Sequence, residues 1–331
     1  MSEKFFSPLT IEIPTIFSGI DFGSVERTNE LRIFSDDLNS RILGLCEFLP
    51  RELRSDAKNW IRSYAKEGEN FIDLFYIPVW SFLFRLGDKY RDIITPRILE
   101  LSKFAHSISL FLHLWDDHLC DNQLKTDILK LQLRTQAWNS FGEGARKIAN
   151  LFHIDESKIQ EELFEYLVWM DPADDPIDFK EYSSIFTKQI SIWTIVPKLW
   201  ERALVDQDGI VKGSLSTFIQ KFSMAWRYMD DLQDIHLDLM SRKKNSVWFL
   251  LDSEQKDLWI KCEKISIRKN ELDLPSWEIL QIDIKNSGAF SRLVDLIHSL
   301  LRDCIQICEQ NHWEEMKVEI VQCSNLQGLK S

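Results

Sequence analysis

The sequence predicts an all-α protein, and three observations carry that expectation. Apolar residues recur at three- and four-residue intervals over long windows. No convincing series of alternating Val/Ile/Thr strands occurs. With 44% apolar and 12% aromatic residues, including 12 Trp, the chain of 331 residues is able to build a sizeable core. Length alone permits one domain or two. Gly is scarce at 11 residues, and neither a long Pro/Gly/Ser linker nor a repeat of 20–50 residues is visible, so a single domain over 1–331 is expected. Within it, 1–25 reads as an N-terminal segment and 312–331 as a C-terminal tail.

Taken in order, the expected helices are 26–48, 52–66, 69–86, 97–120, 124–150, 156–169, 179–204, 214–240, 254–270 and 286–310. The first stops before Pro50, the second before Gly68, and the third before Pro96, which opens the fourth. The turn Asp171-Pro-Ala-Asp-Asp-Pro176 ends the sixth. Asp206-Gln-Asp-Gly209 and Gly213 separate the seventh from the eighth. One proline, Pro197, falls inside the seventh helix, where it either kinks the helix or ends it.

Two of these helices carry acid. The fourth ends in Asp116-Asp-His-Leu-Cys-Asp121, and the eighth contains Asp230-Asp-Leu-Gln-Asp234 followed by Asp238. On a continuous wheel with Asp230 at zero, Asp234 falls at about 40°, Arg227 at about 60°, Asp238 at about 80° and Asp231 at about 100°. A solvated acidic face is the ordinary explanation in a chain with 52 acidic and 40 basic residues. It accounts poorly for the apolar segments 104–115 and 218–229 that lead into both clusters. Buried carboxylates require a cation or a proton. Carboxylate oxygens suit Mg²⁺, which completes its shell with water and substrate phosphates, so the expected ligand is a phosphate ester.

Other classes are disfavoured. A net charge of −12 argues against nucleic acid as a partner. The longest nearly uncharged apolar stretch, 74–84, contains Pro78 and is far shorter than a bilayer span, so no transmembrane helix is expected. The start resembles neither a secretory signal nor a transit peptide, and a cytoplasmic protein is expected. The six cysteines show no C-x-x-C pair or zinc spacing and read as reduced structural thiols. No His-Asp dipeptide supports a phosphohydrolase, and a di-iron site needs two Glu-x-x-His pairs where the sequence has one, Glu309 to His312.

With Asp116, Asp117 and Asp121 ending one helix, Lys188 lying 42 residues before Asp230, and Arg242-Lys-Lys-Asn-Ser246 following the second cluster, the chain resembles the class I isoprenoid enzymes. These comprise the trans-isoprenyl diphosphate synthases and class I terpene synthases. The resemblance covers most of the chain. It implies a single-domain helical bundle with a central active-site cavity, a homodimer, and three Mg²⁺ ions holding a prenyl diphosphate of C15 to C25. The implied metal ligands are Asp116, Asp117, Asp121, Asp230, Asp231, Asp234 and Asp238. Lys188, Arg227, Lys243 and Lys244 are the implied diphosphate donors. Asp116, Asp117, Arg227 and Lys188 are the residues expected to drive ionisation. Trp80, Phe84, Phe111, Leu112, His113, Trp115 and Trp193 are candidates to line an aromatic pocket for a carbocation, with ordinary core packing as the alternative for each.

Within this group the expectation is a terpene synthase. Chain-elongating synthases hold a second diphosphate with a Gly-Gly-Lys-Arg element before the first acidic motif and an Arg-Arg pair after it. This sequence has Pro78-Val-Trp-Ser-Phe-Leu-Phe-Arg85 upstream and Asn122-Gln-Leu-Lys125 downstream, and neither element is present. Asp230, Asp234 and Asp238 follow the spacing of the second cyclase metal motif, although that motif usually offers Asn, Ser/Thr and Glu. The alternative is a prenyltransferase with an atypical second site built from Arg85, Lys89, Arg91 or Lys125, or a non-catalytic regulatory subunit. The stripe Ser102, His106, Ser109 and His113 either faces the cavity, with His113 as a terminal base, or is satisfied at a helix–helix or subunit contact.

Overall fold

The computed structural model describes residues 15–329 except 18, 67, 121, 122, 173, 174 and 209, with the backbone alone at 206–208. Among the described residues the regular elements are helices, apart from one isolated bridge between Asp21 and Gln327. The α-helices are α1 (Asn29–Gly44), α2 (Arg51–Arg62), α3 (Pro78–Lys89), α4 (Pro96–Cys120), α5 (Ile128–Leu151), α6 (Ser157–Met170), α7 (Phe179–Gln189) and α8 (Ser191–Asp208). They continue as α9 (Ser214–Gln233), α10 (Ile235–Ser241), α11 (Ser246–Leu250), α12 (Ser253–Lys269), α13 (Leu274–Asn286), α14 (Ala289–Gln310) and α15 (Glu314–Cys323).

Local chemistry explains several starts. Pro78 occupies the first turn of α3, where its missing N–H costs nothing. That start splits the expected 69–86 helix, leaving a 3₁₀ turn at Phe71–Leu74 whose N-cap Asn70 forms a capping box with Asp73. Asp127 caps α5 by accepting from the Lys130 amide at 2.9 Å, and Asp178 caps α7 by accepting from Glu181 at 2.8 Å. The expected 179–204 helix is interrupted at Ile190, and Pro197 lies inside α8 without ending it.

Packing divides the chain into two compact units, one of residues 24–225 and 298–324 and one of residues 1–23, 226–297 and 325–331. In the larger unit α4 is the core helix. Ile108, Leu110, Phe111, Leu112 and Trp115 are buried around it, the signature of a helix covered on all sides. It packs on α1, α3, α5 and α8. Three members of the polar stripe on α4 form hydrogen bonds within this packing. Ser102 accepts from the Trp200 indole N–H at 2.7 Å, the His106 Nε2 pairs with the Val79 carbonyl at 2.9 Å, and Ser109 donates to the His106 carbonyl at 2.7 Å. Burial pushes the His106 pKa down to about 4, so its ring is neutral.

The segment expected as a C-terminal tail contains α15, which docks on α3. Glu319 accepts from Ser81 and from the Arg85 Nε at 2.9 Å, and Met316, Ile320 and Cys323 are buried. In the smaller unit α12 packs on α10 and α13, with Trp259, Trp277, Leu280 and Ile284 buried. Gln281 of α13 accepts from the Ile16 amide at 2.9 Å, holding the turn at the start of the described residues.

Candidate active site

The first acidic cluster sits at the C-terminal end of α4, and its two described carboxylates have different surroundings. Asp116 is buried and accepts two bonds from one guanidinium, Arg134 Nε at 2.8 Å and Nη2 at 2.9 Å. The Tyr166 hydroxyl of α6 donates to it at 3.0 Å. Burial, then the adjacent Asp116 charge, pushes the Tyr166 phenol well above its ordinary pKa and keeps it a donor. Asp117 is half-buried, and no hydrogen bond or ion pair reaches it among the described residues. Asp121 lies outside the described residues.

Arg134 reaches Asp116 because α4 and α5 form an antiparallel hairpin. Asp116 lies about one turn before α4 ends, and Arg134 about one and a half turns after α5 begins, so the two sit at similar heights. Sequence reasoning passed over Arg134 and Tyr166. The hairpin symmetry was a usable signal for Arg134, whereas nothing in the spacing marks Tyr166.

Around this end of α4 the aromatic side chains form a chain of ring contacts. Trp115 meets Trp60 at 4.5 Å and Phe111 at 5.5 Å, and Phe111 meets Phe71 at 5.5 Å. Phe71 meets Phe75, Phe75 meets Trp193 at 5.9 Å, and Trp193 meets His113 at 4.6 Å. Phe111, His113, Trp115 and Trp193 are thus brought together, joined by Trp60, Tyr64, Phe71 and Phe75, which were not anticipated. Leu112 is fully buried on the same helix. Within this cluster the Tyr64 hydroxyl and Trp115 indole N–H are buried with no hydrogen-bond partner among the described residues. Trp80 and Phe84 are instead grouped about Phe34, at 6.5 and 5.3 Å. Phe84 and Arg91 line a cavity of about 700 Å³ that also contains Pro96, at the opposite end of α4 from Asp116. Lys188, in the last turn of α7, places its Nζ 3.5 Å from the centroid of the Trp169 ring.

The second cluster spans a helix break in the smaller unit. Asp234 has non-helical angles (φ −104°, ψ 14°) and separates α9 from α10, so the single wheel expected for 214–240 does not hold across it. Arg227 pairs with Asp231 at 3.1 Å and approaches Asp230 at 3.8 Å. Asp231 is buried and also accepts from the Ser246 amide at 2.9 Å. The Asn245 side-chain amide ties the two halves together, donating to the Asp231 carbonyl at 3.0 Å and to Asp238 Oδ2 at 2.8 Å. The basic run forms the turn between α10 and α11. Arg242 is left-handed (φ 59°), the Lys243 amide donates to the Asp238 backbone carbonyl at 2.8 Å, and Lys244 lies over the Trp248 ring at 5.9 Å.

Desolvation raises the Asp234 carboxyl above its ordinary pKa. Desolvation, followed by the Asp231 charge, pushes Asp238 up to about 7. A divalent cation would relieve both costs, and the donor set is all oxygen, as Mg²⁺ requires. Asp234 and Asp238 therefore fit a metal, as does the unpartnered Asp117. Asp116 fits one poorly, because Arg134 occupies both of its oxygens. No group of three or more His, Cys, Asp or Glu stands ready-made as a metal cage among the described residues.

The Asp238 shift predicts how metal-free stability responds to pH. Its folded pKa of about 7 exceeds the ordinary 3.8, so between these values the folded state holds a proton that the unfolded state has lost. Stability must then fall as pH rises through that window. Thermal unfolding in a chelator is expected to show a declining Tm from pH 5 to 7, and Asp238→Asn to flatten the slope. An unchanged slope in the variant would assign the decline to other groups.

No family model matches the sequence. No curated protein matches it either. The structure, however, is similar to that of geranylgeranyl pyrophosphate synthetase from Pyrococcus horikoshii Ot3, at 13% identity and a TM-score of 0.57. The match covers 89% of this chain and 97% of that one. The chain therefore has the trans-isoprenyl diphosphate synthase-like fold of the class I isoprenoid enzymes. Among the described residues, no helix is long and apolar enough to cross a membrane.

Proposed function

We propose that the protein is a class I terpene synthase, which ionises one allylic prenyl diphosphate of C15 to C25 and cyclises the carbocation. The observation that carries this choice is the commitment of the cations a second diphosphate site would need. Arg85 is bound to Glu319 at 2.9 Å and Glu315 at 3.1 Å. The Lys89 ammonium donates to the Asn311 and His312 carbonyls at 3.3 and 2.5 Å. Arg91 precedes the N-terminus of α4, about 30 Å along the helix from Asp117. Of the four candidates, only the exposed Lys125 lies near the acidic end of α4.

In this reading Asp117, Asp230, Asp234 and Asp238 are the principal carboxylates for Mg²⁺, with Arg227, Lys243 and Lys244 as diphosphate donors. Bound Mg²⁺ supplies charge neutralisation to the diphosphate as the allylic C–O bond breaks. The rings of Phe111, Trp115 and Trp193 offer π faces to the cation, each worth about 2 kcal/mol when desolvated, and exclude water from it. A cytoplasmic homodimer belongs to the same proposal. The exposed apolar stripe Phe164, Leu167 and Val168 on α6 supports the dimer.

The likeness to a diphosphate synthase keeps chain elongation as the second reading. The discriminating experiment is incubation with Mg²⁺ and allylic diphosphates of C10 to C25, with and without isopentenyl diphosphate, followed by gas chromatography–mass spectrometry. Hydrocarbons or terpene alcohols from one substrate alone are expected. Longer diphosphates appearing only with isopentenyl diphosphate would replace this reading by elongation, and absence of any turnover would favour a regulatory subunit. Trp115→Phe is expected to change the product mixture while altering diphosphate release only a few-fold. An unchanged mixture would place Trp115 in the structural core.

A further inference from the structure

Resting on the proposed diphosphate chemistry, we infer that the two leading carboxylates of the first acidic cluster have separate tasks: Asp117 faces the metal, and Asp116 is an internal anchor that binds no metal. Successive residues of a helix point about 100° apart, so neighbours in sequence face different surroundings. Asp117 follows His113 by one turn, and that stripe continues through His106 and Ser102. Its hydrogen bonds and closest ring contact are with α3 and α8: His106 with the Val79 carbonyl, His113 with the Trp193 ring at 4.6 Å, and Ser102 with the Trp200 indole, while His113 meets the Tyr166 ring of α6 at the longer distance of 6.5 Å. Asp116 is the member of the pair that bonds to α5 and α6, where Arg134 and Tyr166 hold it.

The bonding of Asp116 is complete in a way that leaves little for a cation. Both oxygens accept from one planar guanidinium, and one of them also accepts a phenol, with the carboxylate side chain only 5% exposed. A metal at Asp116 would have to approach beside Arg134, whose fixed positive charge opposes it. Asp117 has neither obstacle: no cation pairs with it among the described residues, and it is half-exposed. Asp116 therefore joins α4, α5 and α6 at the depth of the site and fixes the helix end from which Asp117 projects.

The test is isothermal titration of inorganic diphosphate in the presence of Mg²⁺, with far-ultraviolet circular dichroism as a control for folding. Asp117→Asn is expected to weaken Mg²⁺-dependent diphosphate binding at least about tenfold. The neutral pair Asp116→Asn/Arg134→Gln, which leaves no buried charge behind, is expected to stay within about threefold of the parent protein. A loss of tenfold or more in that folded double variant would overturn the assignment. Tyr166→Phe provides a second test, since it removes one donor from Asp116 without unpairing a charge. It is expected to lower Tm and leave diphosphate binding unchanged, and a tenfold change in binding would make Asp116 a ligand held by Tyr166. Failure of the parent protein to bind diphosphate with Mg²⁺ would overturn the terpene synthase reading itself, a result separable from either variant's behaviour.

Discussion

Asp117→Asn and Asp234→Asn are each expected to reduce Mg²⁺-dependent turnover more than about 100-fold while leaving the helical circular dichroism intact. Mutating the outer-shell partners of a metal typically costs 10–100-fold, so loss of a direct ligand sets a larger effect. The amide keeps the size of the carboxylate but supplies no charge to the cation. Both sites tolerate that change in the folded protein for physical reasons. Asp117 has no partner to lose among the described residues, and Asp234 is raised in pKa by desolvation, so removing its charge relieves a cost. The two variants are accordingly expected to fold as well as the parent or better. A variant that retains turnover within a few-fold would remove its residue from the metal site. Measuring turnover across Mg²⁺ concentration separates weakened metal binding, which excess Mg²⁺ restores, from loss of the chemical step.

The helices that were legible in the sequence are those whose burial is nearly complete. The fourth helix was placed at 97–120 and found at Pro96–Cys120, because Pro96 opens it and apolar residues surround it. The all-α class was legible for the same reason, since apolar residues recur at helical intervals through these buried elements. The helical wheel for Asp230 to Asp238 was less secure, since a break at Asp234 leaves no mark in composition. The turn is stabilised from outside the segment, by Asn245 bridging Asp231 and Asp238. Likewise the start of α3 at Pro78 turned on which of two adjacent apolar runs would become helix, and the α7–α8 interruption fell at Ile190, where the sequence carries no glycine or proline.

Lateral neighbours were the least legible part of the site. The family resemblance implied Lys188 as a diphosphate donor, and nothing in the sequence showed that its ammonium sits over the Trp169 ring, a contact set by the packing of α6 against α7. Trp80 and Phe84 were grouped with Phe111 by composition, whereas the direction in which α3 presents them puts both beside Phe34. Trp60 and Tyr64 went unnoticed because α2, with only Ala57 and Ile61 buried, and the turn that follows it are mostly exposed and polar. Period and propensity report which face of a helix is apolar. They do not report which other helix that face will meet.

Arg134→Met is expected to destabilise the protein by about 3 kcal/mol, the lower end of the cost of breaking a buried ion pair from one side. The hydrophobic side chain fills most of the volume of the arginine stem, so the loss is electrostatic rather than steric. Asp116 would be left at 5% exposure with the Tyr166 hydroxyl as its one remaining described donor. The lower end applies because Arg134 itself is 26% exposed, which lets water reach part of the vacated space. Lysine is not expected to rescue the loss, since a single ammonium cannot reproduce two parallel bonds to one carboxylate. Removing the charge from both sides should restore much of the stability: Asp116→Leu/Arg134→Met replaces an ion pair with apolar contact, a change that is often neutral. Urea denaturation of the two single variants, the double variant and the parent measures the coupling directly. A double variant no more stable than Arg134→Met would show that the pair contributes through more than its charge. Asp116 would then have to interact with something besides Arg134 and Tyr166, and its exclusion from metal binding would lose its main physical ground.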